Sequence, residues 1–102
     1  MIHVVATIDL VEGKRVEFLK VFQAITHKVR AEEGCLEYGA AVDLPTRIAG
    51  QPSVRAHTVI VIEKWKSVEA LENHLQAPHM RAFFSQIGPW SKDVRIQVLQ
   101  PA

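Results

Sequence analysis

The chain carries few of the features that announce a chemistry. Cysteine occurs once, at Cys35, in 102 residues. No intrachain disulfide is open to it. Small secreted domains often depend on disulfides, so a reducing, cytoplasmic setting is expected. Charge is nearly balanced, with 12 Lys and Arg against 11 Asp and Glu and a net charge of +1. That leaves no basic footprint for nucleic acid and no polybasic run for a membrane surface. No apolar run approaches the roughly 20 residues that span a bilayer. The start, MIHVVATIDL, lacks the basic leader and long apolar block of a signal peptide.

Glycine is equally uninformative for nucleotides. The five glycines are scattered and never form GxGxxG or GxxxxGK[ST], so a Rossmann-type or P-loop site is not expected. GxSxG and HExxH are missing too. Histidines His3, His27, His57, His74 and His79 are present, but catalytic zinc needs three convergent protein ligands. His74 and His79 would fall on different faces of a continuous helix. The expectation is no metal and no cofactor. Cys35, directly after Gly34, reads as a small apolar packing residue rather than a nucleophile.

What is present is a regular alternation of elements in one domain, residues 1–102. Residues 2–11 are rich in β-branched side chains. Ile2, Val4, Ala6, Ile8 and Leu10 share one face and His3, Val5, Thr7, Asp9 and Val11 the other, which predicts a strand. Residues 14–33 predict a helix, with Phe18, Phe22, Ile25 and Val29 as its apolar stripe and Gly34 as a left-handed cap. Residues 35–43 predict a second strand. The stretch 44–54, LPTRIAGQPSV, holds two prolines and a glycine and predicts a long loop. Residues 55–65 predict the strongest strand. Ser67 suits the cap of a helix over 68–76 with Leu71 and Leu75 on its apolar side. Pro78 interrupts that helix. A short helix over 79–86 and a strand over 93–100, with Val94, Ile96 and Val98 alternating, complete the chain.

The order β-α-β-β-α-β is the split pattern of a ferredoxin-like α+β sandwich: a four-stranded antiparallel sheet with helices on one face. In the strand over 55–65, Val59 to Ile62 are apolar on both faces, and Val5 and Val11 lie opposite the core set of the first strand. A sheet covered on one side by helices needs another layer for such residues. A second copy of the chain, in a two-fold homodimer, is the expected cover.

The candidate pocket wall is EKWKSVEALENHLQAPHM, residues 63–80. Trp65 ends the strongest strand, with Glu63 on the same face. His74 projects from the following helix and His79 opens the next. Tyr38 approaches from the second strand and Arg81 from the short helix. Each residue also has a plain reading: Trp65 as a core or interface aromatic, His74 as a satisfied histidine flanking a leucine stripe, His79 as a helix start.

Three segments together, EEGCLEYG (32–39), IEKWKSVEALENHLQAPHM (62–80) and RIQVLQP (95–101), resemble the antibiotic biosynthesis monooxygenase (ABM) domain family, in particular its small quinol monooxygenase branch. The resemblance covers essentially the whole chain. It implies a dimeric ferredoxin-like α/β barrel. It also implies oxidation of a small aromatic quinol or phenolic compound by molecular oxygen, without flavin, haem or metal. His74 is the first choice for a general base and His79 the second. Trp65, Phe83 and Phe84 would offer flat surface to a ring, Arg81 would stabilise an oxyanion, and Glu63 and Tyr38 would complete the substrate wall. Haem-cleaving relatives use an asparagine, a tryptophan and a histidine where this sequence has Ala6, His74 and Phe84, which disfavours haem cleavage. Two alternatives stay open: a non-catalytic aromatic-metabolite-binding or interaction domain of the same fold, and isomerase or dehydratase chemistry that needs no oxygen.

Overall fold

A computed structural model describes residues 1–102. The strands are β1 (Ile2–Leu10), β2 (Cys35–Ala41), β3 (Thr58–Trp65) and β4 (Ser91–Leu99). The helices are α1 (Arg15–Arg30), α2 (Val68–Gln76) and α3 (Pro78–Ile87), followed by a 3-10 turn at Gly88–Trp90. The four strands form one sheet in the order β2-β3-β1-β4, with every neighbouring pair antiparallel. This is the ferredoxin-like α+β arrangement expected from the alternation.

Local chemistry explains the boundaries. The alternation in β1 buries Val4, Ala6, Ile8 and Leu10 and leaves Val5, Thr7 and Asp9 half-buried on the other face. In α1 the three- and four-residue steps bury Phe18, Phe22 and Val29. The helix stops at Arg30, short of the predicted 33. A turn at 31–34 follows, closed by Gly34 at φ +83°. A Cβ on Gly34 would stand 2.6 Å from the Cβ of Ala70, so only glycine allows the turn to seat against α2. Ser67 caps α2: its Oγ accepts from the Ala70 N–H at 3.1 Å. Ala77, at φ −61° and ψ 142°, adopts the extended conformation that a following proline imposes, and Pro78 starts α3 at a position that needs no N–H.

The helices cover the sheet unevenly. Val59, Val61 and Trp65 of β3 and the core residues of β1 lie under them, with Trp65, Phe18 and Val59 wholly buried. Burying a side chain of this kind contributes about 1.5–3 kcal/mol each. In β4, Val94, Ile96 and Val98 pair with Ile8, Ala6 and Val4 and so share the helix side of the sheet. All three remain open to solvent, because the helices do not extend over this edge strand. On the opposite face Ile60 is half-buried and Ile62 is 43% exposed. The loop between β2 and β3 is longer than 44–54, spanning 42–57, and places Leu44 and Ile48 outward. A bidentate Arg55–Asp43 ion pair ties its two ends, with Arg55 Nε and Nη2 donating at 2.9 Å each.

Candidate active site

A polar cluster joins the 31–34 turn to the α2–α3 joint, more than forty residues further along the chain. His74 lies in the last turn of α2 and is 2% exposed. The apolar stripe of α2 runs through Leu71 and His74, whereas Leu75, expected on that stripe, is 38% exposed. The histidine therefore occupies a core position instead of flanking one. Its Nδ1 lies 2.9 Å from Oε2 and 3.1 Å from Oε1 of Glu32. His79, in the first turn of α3, brings its Nε2 to 2.8 Å from the same Oε2. One carboxylate thus holds both histidines. A continuous helix would have separated them; the break at Ala77–Pro78 turns them to a common partner.

Aromatic rings surround the cluster. The His74 ring lies 4.6 Å from Trp65 and 5.4 Å from Tyr38, centroid to centroid. Tyr38 stacks on Phe22 at 5.1 Å, and Phe83 meets Phe18 and Phe22 edge-on. Each such pair contributes about 0.5–1.5 kcal/mol beyond its buried area. Trp65 donates its indole N–H to Glu63 Oε1 at 2.8 Å, and Tyr38 sits directly across the β2–β3 ladder from Glu63. Glu63, Trp65, Tyr38, His74 and Phe83 are therefore brought together, with His79 at their margin.

Two sequence candidates stand elsewhere. Arg81 and Phe84 lie on the outward side of α3, while Met80, Phe83 and Ile87 form its buried side. The helical step that turns Phe83 inward turns its neighbours outward. The pocket expected between helices and sheet is occupied by the protein's own rings. An open groove of about 500 Å³ lies instead between the 31–34 turn and α2, with Glu32, Gly34, Ser67 and Asn73 in its wall.

Burial sets the protonation of the cluster. Desolvation pulls His74 below the ordinary histidine range, against the opposing pull of Glu32, so the ring is neutral near pH 7. Desolvation also pushes Glu63 up to about 7, despite the Trp65 hydrogen bond that favours its anion. The Tyr38 hydroxyl is pushed far above its ordinary value by burial and by the nearby Glu63 and Glu32. No group of three or more His, Cys, Asp or Glu side chains is arranged to hold a metal ion. Glu32 is the participant that the sequence did not single out. EEGC was noticeable as a segment, but the partner of its first position lies 42 residues away.

A four-stranded antiparallel sheet with helices packed on one face defines the class of ferredoxin-like α+β proteins. The family model for antibiotic biosynthesis monooxygenase matches residues 1–86. An Escherichia coli K12 protein named "Probable quinol monooxygenase YgiN" is 35% identical over 103 residues, covering 99% of this chain and 98% of that one. The crystal structure of PA3566 from Pseudomonas aeruginosa superposes with a TM-score of 0.81 at 26% identity, covering 99% of this chain and 93% of the other. A conserved protein from Methanosarcina mazei Go1 shares the fold at a TM-score of 0.83 and 22% identity, covering 99% and 92%. The chain belongs to the antibiotic biosynthesis monooxygenase family.

Proposed function

We propose that this protein is a cofactor-independent monooxygenase that oxidises a small aromatic quinol or phenolic compound with molecular oxygen, and that it works as a cytoplasmic homodimer. The observation that carries the proposal is His74: a neutral, buried imidazole set among aromatic rings, in a chain 35% identical to a protein named a quinol monooxygenase.

A quinol is a weak acid whose anion is far easier to oxidise than its neutral form. His74 is the base that removes the phenolic proton, and its lowered proton affinity keeps it in the accepting form at neutral pH. The aromatic surroundings hold the ring and keep out bulk water, so that the electron-rich anion meets oxygen rather than solvent. For a simple quinol the balance closes without another reductant. One oxygen atom enters the ring to give a hydroxyquinone, the other leaves as water, and the quinol supplies all four electrons. The rings that now fill the space beside His74 must yield to admit the substrate. The α2–α3 joint at Ala77, where the helix is already broken, is the place for that movement.

Oxygen uptake by the purified protein with a panel of hydroquinones tests the reading. Uptake well above autoxidation, lost in His74→Ala, is expected. Uptake unchanged in both His74→Ala and His79→Ala would remove histidine base catalysis. The filled interior favours one second reading, a binding domain for an aromatic metabolite. Such a protein would change its Trp65 or Trp90 fluorescence on mixing with the quinol yet consume no oxygen above background. Turnover of a ring substrate under nitrogen would instead point to isomerase or dehydratase chemistry.

A further inference from the structure

Glu32 is held more firmly than its place in a turn suggests. Its backbone N–H donates to the Val29 carbonyl at 3.0 Å, and its own carbonyl accepts from Cys35 at 3.2 Å. The turn is in turn fastened to the sheet and to α2. The Gly34 carbonyl accepts from the Lys66 N–H at 2.9 Å, and the Cα of Gly34 seats against Ala70. The carboxylate leaves this anchored turn and meets both histidines.

The hydrogen bonds fix where the protons sit. A carboxylate only accepts. The nitrogens that face it, Nδ1 of His74 and Nε2 of His79, therefore carry hydrogen. In a neutral imidazole the other nitrogen is then bare. For His74 the bare nitrogen is Nε2, on the ring edge away from Glu32, in a ring whose centroid lies 4.6 Å from that of Trp65 and 5.4 Å from that of Tyr38. For His79 it is Nδ1, on a side chain one-fifth open to solvent.

We propose that Glu32 is the positioning residue of this site, holding His74 in the Nδ1–H tautomer so that Nε2 is the basic atom, with His79 as a second tether of Glu32 and not a second base. The identity of the substrate rests on the quinol reading above; the tautomer does not. When Nε2 takes a phenolic proton, the new imidazolium already points its Nδ1–H at a carboxylate. The positive charge is balanced without any ring rotation. His79 fills a lone pair of the same oxygen that would otherwise stay open, which keeps the carboxylate aimed at His74.

Nitrogen-15 imidazole NMR of the full protein at pH 7.5 is the first test. His74 in the Nδ1–H form is expected, and His74 in the Nε2–H form overturns the proposal. The second test is Glu32→Gln, whose amide both donates and accepts. The tautomer preference of His74 should disappear. kcat for quinol-dependent oxygen uptake should fall by about 10–100-fold with KM little changed. The acid limb of the pH profile should move to lower pH, because Glu32 raises the proton affinity of His74. A Glu32→Gln protein with the wild-type tautomer and profile would overturn the assignment. His79→Ala should keep the His74 tautomer and lose less than about tenfold in kcat; an inactive His79→Ala beside an active His74→Ala would make His79 the base and refute the proposal. A wild-type protein that consumes no oxygen with any quinol sinks the quinol reading alone. In that case the NMR of wild type and Glu32→Gln still decides the role of Glu32.

Discussion

Glu63 shows how a single buried group writes itself into the pH dependence of the whole molecule. Its carboxyl titrates at about 7 in the folded chain against 4.5 unfolded. The folded state therefore binds the extra proton between those values. Its favourable contribution is complete below about pH 4.5, declines as pH rises, and is gone above about 7. Glu63→Gln keeps a neutral acceptor for the Trp65 N–H and removes this loss. Urea unfolding should find the variant more stable than wild type by on the order of 1–3 kcal/mol at pH 8, with little difference at pH 4.5. His74 carries the opposite sign. Its folded proton affinity lies below the ordinary 6.5, so its contribution is complete above that value and is lost as pH falls below it. With the Glu63 slope removed, the Glu63→Gln protein should lose stability as pH drops from about 6.5. A variant whose stability does not change with pH across that range would contradict this assignment. At this scale the chain is only partly legible: the types and order of Glu63, Trp65 and His74 are readable from the sequence, their common burial is not.

At the scale of elements, the 31–34 turn and the α2–α3 break decide what meets what. Gly34 combines a left-handed backbone with a close approach to Ala70. Gly34→Ala should cost about 1–3 kcal/mol in urea unfolding, from strain at positive φ together with the 2.6 Å clash. Gly34→Ala combined with Ala70→Gly should recover only the steric part, leaving the backbone part in place. Full recovery would mean that φ contributes nothing. The strands and helices themselves were largely legible, because period-2 and period-3.6 patterns report burial directly. The ends were less so. β3 begins at Thr58 rather than 55, since Arg55 is engaged with Asp43 and the loop, and α1 ends at Arg30 because the Glu32 and Gly34 turn needs the residues after it. Leu75 and His74 exchanged their expected roles, a rotation of one residue that an apolar count cannot resolve when a histidine takes the core position.

At the scale of the molecule, the sheet keeps apolar residues outside its helical cover. Ile62 on the open face and Val94, Ile96 and Val98 on the uncovered edge strand are each more than two-fifths exposed. The homodimer proposed above has the open face as its contact, and Ile62 lies near the middle of that face, between Val5 of β1 and Gly39 of β2. Ile62→Lys should weaken self-association by at least about tenfold, equal to about 1.4 kcal/mol, in sedimentation equilibrium while leaving the circular dichroism unchanged. An unchanged sedimentation profile would place the contact elsewhere or remove it.

The sequence by itself determined the order of elements and the antiparallel ferredoxin-like sheet, because hydrophobic periodicity and turn residues act over short distances along the chain; the family was carried separately, by the resemblance of segments 32–39, 62–80 and 95–101. It also marked residues 63–80 as the stretch around which a site would form. Only the tertiary structure decided that Glu32 joins His74 and His79, that Phe83 faces inward while Arg81 and Phe84 face out, and that the protein's own rings fill the space beside His74. These depend on how far each helix is rotated about its axis and on where a turn is seated. Both are fixed by contacts between residues some forty positions apart, at distances of about 3 Å.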